Sequence, residues 1–96
     1  MGLQIFDGRK VVAAAGTAVA ITSATLPVFW VVFTAETDNT GIIALGGSTV
    51  VAAETTQRGL LLLAGESSPP MFDADLNLTY IDATVTGDGV SYAYLV

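Results

Sequence analysis

Asp73 and Asp75 stand two residues apart, with Asp82 and Asp88 further along the chain. Two carboxylates can divide acid and base or nucleophile roles between them, as in glycoside hydrolysis, when their surroundings push their proton affinities apart. The usual supporting groups are missing: with no histidine and no cysteine, the commonest general base, the commonest metal ligand and the thiol nucleophile are absent. Asp73-Ala74-Asp75 reads as a loop beside Met71-Phe72, and solvated loop carboxylates are the simpler account. The expectation is a protein that is not an enzyme.

The same side chains are candidates for calcium, which takes about six to eight oxygens from carboxylates and loop carbonyls. Asp38 with Asp73 or Asp75 could contribute across loops, but the dense D-x-D-x-D-G string of a calcium loop is missing. Gly41, Gly46, Gly47, Gly59, Gly65, Gly87 and Gly89 fall between candidate strands; a phosphate cradle needs a helix after its glycines, and none is indicated. No cofactor and no metal is expected.

The elements that would carry these residues follow from composition and period. The 96 residues suffice for one small domain, of which 52% are apolar and only 12% charged, against about 25% charged in an ordinary domain. A small domain buries only about 60 to 65% of its unfolded surface, so this much apolar surface implies partners. Nine acidic and three basic residues give a net charge of −6, which argues against nucleic acid because no cluster of cations is present to replace counterions.

From Val11 to Ala35 there is no charged residue. A signal peptide is argued against by Gly16, Thr17, Thr22 and Ser23 within the apolar stretch and by Asp7 before the basic pair. A membrane span is long enough on count but would carry Thr17, Thr22, Ser23, Thr25 and Pro27 through hydrocarbon. Alternation and β-branched residues fit a pleated sheet better.

Candidate strands run over 17–21, 28–35, 42–45, 49–53, 59–63, 78–85 and 90–96, with no helical stripe between them. Thr86-Gly87-Asp88-Gly89 reads as a hairpin turn between the last two. Seven to nine short strands at regular spacing predict a single all-β domain: a small antiparallel β-sandwich, jelly-roll-like, or a partly open barrel. In Val28–Ala35, Phe29, Val31, Phe33 and Ala35 share one face, while Val28, Trp30 and Val32 share the other. Residues 1–15 read as an N-terminal extension or arm.

Asp38-Asn39-Thr40-Gly41, Gly46-Gly47-Ser48, Arg58-Gly59, Ala64-Gly65-Glu66-Ser67 and Tyr80-Ile81-Asp82-Ala83 through Gly87-Asp88-Gly89-Val90-Ser91-Tyr92 occur in one order. That order resembles a family of small tailed-bacteriophage proteins that look like virion structural components: capsid decoration or cement proteins, or minor head and tail subunits. The likeness covers about Thr17 to Tyr94, and its motifs are turn signatures, not a catalytic code. It implies that Val31, Phe33, Ile43, Leu45, Leu60, Leu62, Ile81, Val90 and Tyr92 face the core. It also implies a capsid-surface location, with the major capsid protein or other virion subunits as partners.

A second apolar face on a small sheet predicts an interface, built on Val28, Trp30 and Val32 and, as a strand-adding arm, on Leu3, Ile5 and Phe6. The competing expectation is that the segment from Leu3 to Val12 covers that face itself. A cyclic homo-oligomer, with a trimer favoured, would place the apolar strands at its axis. A carbohydrate-binding module for host adhesion is the alternative, with Tyr80, Tyr92 or Tyr94 as platforms. Neither nucleic acid nor membrane is an expected partner.

Overall fold

The computed structural model describes residues 4–96. Eight strands follow one another in the order β1 (Ile5–Val11), β2 (Val19–Ala20), β3 (Pro27–Ala35), β4 (Ile43–Gly46), β5 (Leu60–Leu62), β6 (Met71–Asp75), β7 (Tyr80–Ala83) and β8 (Gly89–Leu95). They form two four-stranded antiparallel sheets, ordered β1-β8-β3-β6 and β2-β7-β4-β5. This is the small all-β sandwich that the spacing of turns predicts. No helix among the described residues is long and apolar enough to cross a membrane.

Alternation builds the core. Val31, Phe33 and Ala35 of β3 and Val90 of β8 point inward from the first sheet, and meet Ile43 and Leu45 of β4, Leu62 of β5 and Ile81 and Ala83 of β7. Val12, Ile21 and Leu76, from the connections, close the ends. Burying a Phe, Ile or Val side chain of this kind contributes about 1.5 to 3 kcal/mol.

Two of the turn motifs meet in space. Gly89 N–H donates to Asn39 Oδ1 (3.0 Å) and its carbonyl accepts from Asn39 Nδ2 (2.9 Å), so the side chain imitates a paired strand. The Asp88 carboxylate accepts from the N–H groups of Thr40 and Gly41. The D-N-T-G turn and the G-D-G-V segment are therefore two halves of one latch, a structural reason for those residues at that spacing.

Several expectations are corrected. Val28 is 4% exposed and belongs to the core, not to the outer face. Its neighbours explain why: Val28 pairs with Ala74 and Trp30 with Phe72, but Phe29 and Asp73 between them do not pair, and Asp73 has a positive φ of 54°. The register is the same on both sides of this point, but the in–out alternation of both strands is inverted across it, so Val28 and Ala74 turn inward and Phe29, which alternation places on the face of Val31 and Phe33, is 57% exposed. Leu60, also expected inside, is 39% exposed because β5 is an edge strand. Residues 49–53 make only a single bridge, Val51 to Arg58. Asp73-Ala74-Asp75, read as a loop, belongs to β6. The turn at 86–89 joins no hairpin: β7 and β8 belong to different sheets.

Residues Ile5–Val11 are an integral strand hydrogen-bonded to β8 along its whole length. They form the edge of the first sheet and do not cover its outer face. Leu3 lies outside the described residues.

Tyr92, facing inward, lies across Gly8, where any Cβ would collide with its ring. Burial, and secondarily Tyr94, raise the Tyr92 phenol above its usual pKa near 10. A raised folded value means that the neutral phenol supports the fold fully below the ordinary pKa, and that this support is lost as pH rises through the raised value. Stability should therefore fall beyond about pH 10, and Tyr92→Phe should remove that part of the alkaline loss. Urea midpoints measured across the alkaline range will check this; identical slopes for both proteins would refute it.

Candidate functional site

The acidic residues are committed to the scaffold. Asp75 Oδ1 accepts from the N–H groups of Leu26 (3.0 Å) and Asn77 (2.9 Å), fixing the turn after β6. Asp82, 1% exposed, accepts from Gly16 N–H through Oδ1 and from Ala52 N–H through Oδ2, each at 3.0 Å. Asp73 is exposed at the irregular end of β6, and Asp38 lines a shallow cleft with Arg9 and Glu36. Among the described residues no group of three or more acidic side chains is gathered for a metal ion.

The two outer faces of the sandwich differ. On the second sheet, Ala44 is fully buried under Val50 and Ala52, with Ala18 and Tyr80 packed around them. The β4–β5 loop and the segment before β2 fold over that face, and Asp82 ties both down. The outer face of the first sheet has no such cover among the described residues.

That face carries an apolar row across all four strands. Ile5 of β1 is registered with Leu95 of β8, Leu95 with Trp30 of β3, and Trp30 with Phe72 of β6. Phe29 joins the row through the inverted alternation and meets Phe72 edge to face, with ring centroids 6.1 Å apart. Val32 and Ala93 form the next rung. Ile5 is 63% exposed and Phe72 60%; Trp30, Val32 and Leu95 are half-buried by their neighbours. A groove of about 480 Å³ runs beside Trp30, Val32, Thr34, Ser91 and Ala93.

Toward the other end the face turns polar, through Thr34 and Ser91 to Arg9, whose guanidinium is paired with the Glu36 carboxylate. That hydrogen bond and its charge hold the Arg9 pKa above its ordinary value. The gradient sets an apolar contact area beside an ionic rim, the usual anatomy of an interaction surface.

Of the expected contact residues, the structure brings Ile5, Trp30 and Val32 together on this face. Phe6 points to the other side of the sheet, where it stacks on Tyr94 at 5.6 Å. Tyr92 and Tyr94 stack on each other on that inner side, and Tyr80 belongs to the second sheet, so the three tyrosines do not line one groove. Phe29, Phe72 and Leu95 were not among the expected contacts. Leu95 was accessible from the alternation Ser91, Ala93, Leu95; Phe29 depends on the irregularity opposite Asp73 and Phe72 on its pairing with Trp30, neither of which periodicity announces. Comparison with known protein families, curated proteins and solved structures finds no match for this chain.

Proposed function

We propose that this chain is a non-enzymatic virion structural protein, a capsid decoration or cement protein that binds an assembled phage shell through the outer face of its first sheet. The carrying observation is the uncovered row Ile5, Leu95, Trp30 and Phe72 with Phe29 beside it, on a sandwich whose other outer face is sealed by its own loops. Exposed apolar patches of this kind mark interaction sites, and aromatics dominate the energetics of such contacts. The resemblance of the turn motifs supports a virion component, with the major capsid protein or another virion subunit as the partner.

Mechanism here means adhesion. A protein that binds only the assembled shell shifts the equilibrium away from disassembly, and many copies on one shell add avidity to modest individual contacts. The competing reading is host adhesion through sugars, to which Phe29, Trp30 and Phe72 would offer an aromatic cluster. The rings of Phe29 and Phe72 lie 76° apart, however, and provide no common plane for stacking.

Co-sedimentation with shells lacking the protein tests the reading. The chain should pellet with them and raise their melting temperature, while glycan arrays stay silent. Trp30→Asp should weaken retention by about thirtyfold or more, the effect of losing a contact worth about 2 kcal/mol. Phe72→Ser, at the more exposed neighbour, should act in the same direction and controls for damage to the sheet. Undiminished pelleting of both variants, or a wild-type chain that never joins a shell, would sink the proposal.

A further inference from the structure

We infer that β1 is a self-complementary edge, and that two copies of this chain pair β1 to β1 across a two-fold axis to join their first sheets into one.

Sheet edges invite pairing with other chains, and proteins blunt them with short strands, bulges or charge. Three of the four edges here are blunted. β2 and β5 span two and three residues, and β6 is broken at Asp73 by its positive φ. β1 is seven residues long and pairs regularly with β8 throughout. Its other side has no strand partner among the described residues.

The direction of its backbone groups is fixed by two observations. Val12 N–H donates to the Asp88 carbonyl, so by the two-residue alternation of a strand Lys10, Gly8 and Phe6 also face β8. Gly89, opposite Val11, turns its own N–H and C=O to Asn39 and Glu36 on the far side of β8. Ile5, Asp7, Arg9 and Val11 therefore present their N–H and C=O to the free edge.

An antiparallel copy centred on Gly8 brings those same four residues into register. Ile5 then lies opposite Val11 of the second copy and Asp7 opposite Arg9, and each pair can exchange both backbone hydrogen bonds. Charge on an edge ordinarily deters pairing. Here the two signs sit symmetrically about Gly8, so each Asp7 carboxylate meets the other copy's guanidinium on the outer face. Arg9 keeps Glu36 as its intrachain partner but is 63% exposed at the side chain, and a guanidinium has donors for both carboxylates. On the inner face Lys10 falls opposite Phe6, where its stem and ammonium can lie along the ring. At the axis itself stands glycine, which adds no side chain to obstruct the approach.

The symmetry is isologous and closes at two copies. It differs from the expected trimer with apolar strands at its axis; a ring built from the edges of the first sheet would have to pair β1 with β6, whose ladder is interrupted at Asp73. It does not depend on shell binding, and its test needs no shell.

Sedimentation equilibrium of the full chain should reveal a reversible species of twice the 9.8 kDa protomer mass. Asp7→Arg and Arg9→Asp each place like charges opposite one another in a homodimer, and each should weaken association by about tenfold or more. Mixing the two variants places every Arg opposite an Asp and should restore association as a heterodimer, and combining both changes in one chain should restore a homodimer. Asp7→Pro, which removes an edge N–H but no bond to β8, should give monomers that melt as the wild type does. A wild type that stays monomeric at high micromolar concentration, a trimer, or a dimer indifferent to Asp7→Arg would each overturn the inference. So would a failure of the mixed variants to associate when both remain folded.

Discussion

Replacing Asp82 with alanine should cost about 3 to 5 kcal/mol, a large share of the roughly 5 to 14 kcal/mol available to a domain of this size. The carboxylate is 1% exposed and accepts from Gly16 and Ala52 on two different segments that cover the second sheet. Truncation strands the buried Ala52 N–H at about 1 to 3 kcal/mol and the part-buried Gly16 N–H at less, and opens a void beneath the loops. Relief of the carboxylate's own desolvation offsets part of this, which keeps the expectation below the upper sum. Asp82→Asn retains one acceptor oxygen and presents an amide to the other donor, so it should lose about half as much. Urea denaturation measures both losses. Hydrogen exchange should localise the damage, with the Gly16 and Ala52 amides exchanging faster than those of β3. Wild-type stability in Asp82→Ala would show that the two loops are held by other contacts.

Gly89→Ala should cost about 2 to 4 kcal/mol, at or above the usual range for overpacking. A Cβ there would overlap the carbonyl oxygen of Lys10 and sit 3.0 Å from Val11 Cα. These are backbone atoms of β1 and cannot swing aside as a side chain would. Nor can Gly89 retreat, because its N–H and C=O are held by Asn39 and its carbonyl also accepts from Glu36 N–H. Strands β1 and β8 must separate at that end or the latch at Asn39 must open. Thermal melts report the loss, and proteolysis within residues 5–11 should accelerate if β1 is what yields. An unchanged melting temperature would mean that the β1–β8 ladder has slack at its start.

The central strands were legible because they are buried and regular. In β3, Val31, Phe33 and Ala35 alternate with less buried neighbours as their spacing predicts, and Ile43, Leu45, Ile81 and Val90 occupy the core. The edge strands were obscure for the opposite reason. Residues 5–11 and 71–75 carry Asp7, Arg9, Lys10, Asp73 and Asp75, because an edge with a face in solvent can hold charge, and charge erases the pattern by which strands are recognised. The 49–53 segment has strand composition, yet Val50 and Ala52 are buried as a lid over Ala44. Composition registers burial without registering which layer does the burying.

By itself, the sequence determined that this protein is a single all-β domain, that its turns fall at glycine-bearing motifs, and that it has more apolar surface than a small sandwich needs. These are properties of local period and composition. Only the tertiary structure decided where the surplus lies. The paired irregularity at Phe29 and Asp73 turned Val28 inward and Phe29 outward, and Asp82 drew two loops over one outer face. Pairing across four strands then aligned Ile5, Leu95, Trp30 and Phe72 into an uncovered row. Each of these depends on contacts between segments far apart in the chain, and because side chains alternate along a strand, losing the alternation by one residue exchanges core for surface.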